Sequence, residues 1–284
     1  MINVRSIVIG LIVSVLVAGV MVACGGGGGG GGGAPAVASG TGRGAVVVDT
    51  GTGNVTGSVF FSGMSGTATS VGLFEAAAGQ NQATNPGTPI IAMDVSSGGA
   101  TVPAGKSLSP GQITSLQNNG LYFLVKTSTF PNGELRGQIN NTSNLTAGVG
   151  DLDNNQEVPA TVSSGTGRGT VVVDPTNGQI IAGVITYTGL TTNAILSHIH
   201  QGAAGVNGDI KVNYNPANAT AGTATVLDPT VGMTNQDLTD LGAGNLYFNV
   251  HTGMYGGGEI RGQIATTTTQ DVRSASLSTG QVVP

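Results

Sequence analysis

The chain is poor in the residues from which most catalytic and nucleic-acid-binding surfaces are built. It has one cysteine, three histidines, no tryptophan, and only 8% charged residues among 284. A single thiol excludes an intramolecular disulfide framework and an all-thiolate zinc site. Nine Lys and Arg against fourteen Asp and Glu leave a formal net charge of −5, which argues against nucleic acid held on a basic face. Glu, Lys and Arg are also strong helix formers, and their scarcity turns the reading away from a helical fold. What remains is rich in Val, Thr, Asn and above all Gly, with 50 residues, a composition suited to short strands joined by glycine turns. The length allows two ordinary domains, each with its own core.

The first residues read as an address. Arg5 precedes an apolar run from Ile7 to Val22, and Met21-Val22-Ala23 leads into Cys24. A positive region, a hydrophobic region and a small residue before the cut make a secretory signal over 1–23. A cysteine directly after the cut resembles the bacterial lipoprotein signal, which implies acylation of the Cys24 thiol. Met21 departs from the Leu usual three residues before that cysteine. An uncleaved membrane anchor is the alternative. Gly25 to Gly33 follow without interruption, so 24–33 is expected to be a flexible tether. The folded part is then expected in the cell envelope, lipid-anchored at the outer membrane or cell surface, or in the periplasm.

The rest of the chain repeats itself at a spacing of 125. Ser39-Gly-Thr-Gly-Arg-Gly-Ala-Val-Val-Val-Asp49 returns as Ser164-Gly-Thr-Gly-Arg-Gly-Thr-Val-Val-Val-Asp174. Leu121-Tyr-Phe-Leu-Val-Lys-Thr127 returns as Leu246-Tyr-Phe-Asn-Val-His-Thr252, and Gly133-Glu-Leu-Arg-Gly-Gln-Ile139 as Gly258-Glu-Ile-Arg-Gly-Gln-Ile264. Solenoid units are shorter, so this period marks a duplicated domain. The copies span 34–140 and 145–265, with 266–276 as a linker. Val46–Val48 with Val55–Phe61, and Val171–Val173 with Ile180–Tyr187, read as hairpins. The helical turns lie at Ser109–Asn118 and Thr234–Leu241, each opening on a capping hydroxyl. Seven or eight short strands per copy predict an all-β chain of two tandem Greek-key β-sandwich or barrel domains.

The second copy carries Asn155-Gln-Glu-Val-Pro159, Ser197-His-Ile-His-Gln-Gly202, Asn245-Leu-Tyr-Phe-Asn-Val-His-Thr252 and Gly258-Glu-Ile-Arg-Gly-Gln263. These ordered blocks resemble the signature of the CHRD domain family, while the first copy resembles it only at its start and end. The resemblance implies an extracellular all-β module with a binding, adhesion or structural role and no enzymatic one. Its partner would be an extracellular ligand or protein.

All three histidines fall in the second copy. His198 and His200 are two apart, so on a strand both leave one face, and His251 ends a later strand. Imidazoles converging from two strands suit zinc or copper, with Glu259 as an oxygen ligand. The His-x-His spacing resembles the copper strand of Cu/Zn superoxide dismutases. The plainer reading is that the histidines hydrogen-bond backbone or carboxylate groups and hold loops together. In the first copy Gly72, Phe74 and Lys126 stand in their places, so the three were lost together. Glu134 and Arg136 nevertheless persist opposite Glu259 and Arg261, which marks that pair as structural, an ion pair on a strand face or a loop clamp. Arg43 and Arg168, in what read as Gly-Thr-Gly-Arg-Gly turns, are assigned the same role, since no helix follows to make a phosphate cradle. No Ser-His-Asp set or paired-carboxylate motif is present, and no catalytic residue is named.

One strand is out of place. The second copy opens with Leu152 to Pro159, read as its first strand, and the tether occupies the equivalent position of the first copy. The chain instead ends Leu277-Ser-Thr-Gly-Gln-Val-Val-Pro284, matching that segment at the same spacing. A missing strand would leave an unpaired edge, so 277–284 is expected to complete the first domain. The alternatives are a degenerate remnant of a third repeat and donation to a neighbouring chain, giving self-association in a fibre.

Overall fold

The computed structural model describes residues 36–284 apart from 78–79, 81–86, 97, 142–143, 229, 267–269 and 283–284. The run over 1–23 read as a signal, Cys24 and the glycines expected to form a tether lie outside the described residues. Among those described, no helix is long and apolar enough to cross a membrane.

The first copy supplies β1 (Thr41–Asp49), β2 (Val55–Ser62), β3 (Ala68–Glu75), β4 (Ile91–Ser96), β5 (Gly99–Thr101), α1 (Pro110–Gln117), β6 (Leu121–Thr127) and β7 (Leu135–Gln138). The second supplies β8 (Thr146–Asp153), β9 (Thr166–Val173), β10 (Ile180–Thr188), β11 (Ala194–Gln201), β12 (Ile210–Pro216), β13 (Gly222–Val226), α2 (Asn235–Gly242), β14 (Leu246–Thr252), β15 (Ile260–Gln263) and the short β16 (Ala265–Thr266). The last strand, β17 (Gln270–Ser278), comes after both copies.

Each copy closes into an eight-stranded antiparallel barrel. The first runs β17-β1-β2-β5-β4-β3-β6-β7 and back to β17; the second runs β8-β9-β10-β13-β12-β11-β14-β15 and back to β8. Strand for strand these are the same ring, with β17 standing where β8 stands. The crossings from β2 to β3 and from β5 to β6 each pass over two strands, which makes the connectivity a Greek key. The second crossing is carried by α1, and by α2 in the other copy. Both helices begin with a capping box, on Ser109 and Thr234, satisfying amides that would otherwise be orphaned. Leu116 and Leu241 are buried from them.

The tail therefore completes the first barrel of its own chain. β17 pairs along the whole of β1, from Thr41 opposite Ser278 to Asp49 opposite Gln270, and Ser278 meets Arg136 on β7. The match to the second barrel extends to side chains. The Gln138 amide donates to Gln281 Oε1 at 3.1 Å, and the Gln263 amide to Gln156 Oε1 at 3.0 Å. Three boundaries differ from those read in the sequence. The donated strand begins at Gln270, so most of 266–276 is strand rather than linker. In both copies the segment after the strand, Thr279–Gln281 and Asn154–Gln156, is a 3-10 turn, so the second copy's first strand is Thr146–Asp153 and not Leu152–Pro159. The Gly-Thr-Gly-Arg-Gly runs belong to β1 and β9.

The unbroken valine runs have a packing cause. Val46 and Val48 enter the core of the first barrel and Val171 and Val173 that of the second, while Val47 and Val172 point outward into a shared cluster with Ala45, Ala147 and Ala182. A strand covered on both faces loses polar alternation. Thr56 and Thr170 hydroxyls meet at 2.9 Å there, the Gly183 amide donates to Ser58 Oγ at 3.0 Å, and Arg43 Nε donates to the Ile180 carbonyl at 3.0 Å. The β1–β2 and β9–β10 hairpins turn on Gly53 and Gly178, at φ +77° and +73°, a conformation open to glycine and costly for most other residues.

Candidate metal centre

The β11–β14 pair builds the site. Ile199 faces the core, so its neighbours His198 and His200 face out; Phe248 and Val250 face the core, so Tyr247, Asn249 and His251 face out. The register sets His198 opposite Asn249, His200 opposite Tyr247, and Leu196 opposite His251. The outer face is covered by the loops after β11 and β14, which leave His198, His200 and His251 only 5%, 8% and 6% exposed. One ligand nitrogen from each of the three lies within 4.8 Å of the other two.

The rings are oriented from behind. His200 Nδ1 lies 3.0 Å from the Gly208 carbonyl and His251 Nδ1 lies 3.1 Å from the Gly256 carbonyl. A carbonyl only accepts, so each Nδ1 carries the hydrogen and each Nε2 keeps its lone pair. His251 Nε2 sits 3.0 Å from His198 Nδ1, and His200 Nε2 is buried without a hydrogen-bond partner. Buried polar atoms rarely lack a partner. One bare Nε2 on His200 and one on His251 that accepts only from the neighbouring imidazole, each ring fixed by a hydrogen bond on its far nitrogen, form the outer support typical of metal-binding imidazoles. Gly208 is held to glycine because a Cβ would stand 1.7 Å from the Gln201 carbonyl oxygen.

The electrostatics keep the imidazoles neutral. Burial brings His198 down to about 4, helped by His251 and then His200. Burial also lowers His200 and His251, against the opposing pull of their hydrogen bonds to Gly208 and Gly256. Neutral imidazole is the form that binds metal.

Behind the cluster runs a stack. Tyr247 lies parallel to His200, with 5.1 Å between ring centroids, and the Arg261 guanidinium lies 3.6 Å over the other face of Tyr247. Arg261 donates to the Ala203 carbonyl at 2.9 Å. Glu157, buried beside Asn249 and Arg261, is pushed up to about 7 by burial, with Arg261 and then Asn249 opposing.

Glu259 is not with the histidines. Its carboxylate accepts from Ser163 Oγ at 2.6 Å, the Thr191 amide at 2.7 Å and Thr252 Oγ1 at 2.7 Å. Burial would raise its pKa, but these donors hold it below the usual range. It is a clamp for three segments, and the oxygen-ligand assignment is withdrawn. Glu134 does the same in the first barrel, accepting from Ser39, Ser65 and Thr127. Neither glutamate forms an ion pair with Arg136 or Arg261 among the described residues; the pairs found are Arg168–Asp151, Lys211–Asp237 and Arg273–Asp271.

The first barrel shows what the site looks like without imidazole. Gly72 pairs with Leu124, Phe74 with Tyr122, and Ser70 with Lys126, the register that holds His198, His200 and His251 in the second. Phe74, Tyr122 and Leu124 form a small apolar cluster, with Arg136 4.0 Å over Tyr122. Tyr247 and the two glycine carbonyls escaped the sequence reading. The period-2 face shared by Tyr247, Asn249 and His251 was available to find the tyrosine, whereas carbonyls reached through loops leave no signature.

The CHRD domain family model matches residues 30–139 and 149–264. No curated protein and no solved structure matches the chain. With both barrels covered by that match, the chain belongs to the CHRD domain family.

Proposed function

We propose that the chain is a lipid-anchored envelope protein with a non-enzymatic binding role, and that its second barrel holds one copper or zinc ion on His198, His200 and His251. The observation that carries the metal reading is the convergence of three buried, neutral imidazoles, two of them turned by the Gly208 and Gly256 carbonyls so that Nε2 faces inward. Loop-holding alone accounts for the Nδ1 contacts but not for a buried His200 Nε2 with no partner. Imidazole sets of this kind suit copper and zinc. The first barrel serves as scaffold.

The test uses the full chain, untagged and purified in detergent. After loading with copper(II) or zinc(II) and dialysis, the wild type is expected to keep one equivalent and His200→Ala less than a tenth. Equal retention by both would defeat the reading. Anchoring rests on the run from Arg5 to Cys24; Cys24→Ser is expected to release the protein from membranes, with loss of the acyl mass as the readout.

A further inference from the structure

Resting on the metal reading above, we propose that the ion in the second barrel keeps an open coordination position that binds a small anion from solution, so that the site is an exchangeable binding centre and not a structural clamp. Two independent observations point this way. The first is that the fold does not need the ion. The first barrel closes the same eight-strand ring in the same register with Gly72, Phe74 and Lys126 at the histidine positions, and fills the space with Phe74, Tyr122 and Leu124. Metal sites that hold a fold together cannot be deleted from a sister domain at no cost to its topology.

The second observation is the donor count. Among the described residues the cluster contains three imidazoles and no carboxylate or thiolate. Glu259, the oxygen ligand expected from the sequence, has both oxygens engaged by Ser163, Thr191 and Thr252. Closed structural zinc sites use four protein ligands, whereas three ligands leave a position for water or an added ligand. The loop after β14, which supplies the Gly256 carbonyl, is loosely packed: a Cβ at Gly253, Gly256 or Gly257 would meet nothing within 4 Å.

Charge selects the sign of the ligand. Three neutral imidazoles leave the ion's positive charge uncompensated, and the Arg261 guanidinium lies one ring away, across Tyr247 from His200. Asp209 is the acidic group that acts on His200, weakly enough to stand last among its influences. Ile195, Leu196 and Met254, on the strand and loop that carry the histidines, are 51%, 51% and 64% exposed. At the same register positions the first barrel has Thr69, Ser70 and Thr129, all exposed. Exposed apolar residues accompany the histidines and are absent where they are absent, and apolar surroundings favour a compact monodentate anion over a large polar one.

Azide titrated into the copper(II)-loaded full chain tests this. The expected result is a new azide-to-copper charge-transfer band that saturates at one azide per copper and disappears on dialysis. A second measurement follows chelation of the metal by hydrogen exchange, with β8 to β15 expected to keep their protection. Copper that stays bound while the spectrum ignores excess azide overturns this inference alone. So does an azide response that appears only in Met254→Leu, because the chain's own thioether would then fill the position. Global loss of protection in the second barrel on chelation overturns it too. A chain that takes up no copper overturns the metal reading and this inference together.

Discussion

The two barrels are the same construction with one layer exchanged. In each, a buried glutamate gathers hydroxyl and amide donors from three segments, through Ser39, Ser65 and Thr127 in the first and Ser163, Thr191 and Thr252 in the second. In each, an arginine lies flat on a tyrosine, at 4.0 Å and 3.6 Å. What differs is the ring on the tyrosine's other face: Phe74 stacks on Tyr122 and His200 on Tyr247. The Glu, Arg and Tyr are therefore framework, however much a buried arginine beside a histidine cluster resembles active-site equipment. The histidines are the part of the second barrel that this framework does not require.

The sharpest way to break this equivalence is to remove the strand that makes the barrels equal. Deleting 270–284 strips β1 of a nine-residue partner and opens the ring between β1 and β7. It also removes Ala275 and Leu277 from the first core. Lost side-chain burial of this kind costs on the order of 2–5 kcal/mol per large residue, before the ladder hydrogen bonds are counted. The first barrel is expected to lose cooperative folding while the second keeps it. Hydrogen exchange mapped onto β1–β7 against β8–β15 reads this directly; retained protection in β1 would mean that β17 is dispensable.

Next in size are the clamps. Glu134→Ala and Glu259→Ala each leave several buried donors unsatisfied, a loss of about 2–4 kcal/mol. The comparison predicts nearly equal destabilisation of the respective barrels in thermal unfolding followed by domain-resolved exchange. A much larger effect at Glu259 would show that it serves the histidine site after all.

A smaller effect is expected at Gly208, whose Cβ would strike the Gln201 carbonyl oxygen. Gly208→Ala is predicted to shift the carbonyl that orients His200 and to weaken metal retention about 10–100-fold, the usual consequence of losing an outer-shell partner. Competition against a chromophoric chelator measures it. Unchanged retention would mean that the hydrogen bond to His200 Nδ1 does not set the ring.

Much of this was legible in the residues. The duplication, the hairpins, both capped helical turns and the tail's kinship to the start of the second copy all follow from identities at a spacing of 125. The donated strand was read too short for a physical reason. Along β17 and β8 only Leu277 and Leu152 agree, the residues before them differing throughout, because strand pairing is carried by backbone groups and tolerates exchanges as unlike as Arg273 for Gly148. Arg43 and Arg168 were placed in turns because flanking glycines signal loops. In β1 and β9 those glycines instead allow close backbone packing: a Cβ at Gly169 would stand 2.3 Å from the Phe248 ring. The histidine cluster was visible as a face and a spacing. Its orienting carbonyls were not, since any residue has one.

The smallest predicted effect isolates a difference the histidines would otherwise mask. Glu157 is buried at the position that Val282 occupies in the first copy, one repeat of 125 apart. Burial raises its pKa to about 7, above the ordinary 4.5. Below about 4.5 the carboxyl is protonated in folded and unfolded chains alike, and its contribution to stability is fully present. Between 4.5 and 7 the unfolded chain ionises first and binds fewer protons, so stability falls as pH rises; above 7 the loss is complete. The depressed histidines act in the opposite direction, losing stability as pH drops below 6.5, but they are common to wild type and variant and cancel in the difference. Glu157→Gln is therefore predicted to match the wild type near pH 4.5 and to exceed it by about 1–2 kcal/mol at pH 8, read from denaturant melts of the metal-free protein. A difference that is constant with pH would show that Glu157 stays ionised in the fold, paired with Arg261, and that the two barrels differ there by a buried ion pair instead of a protonated acid.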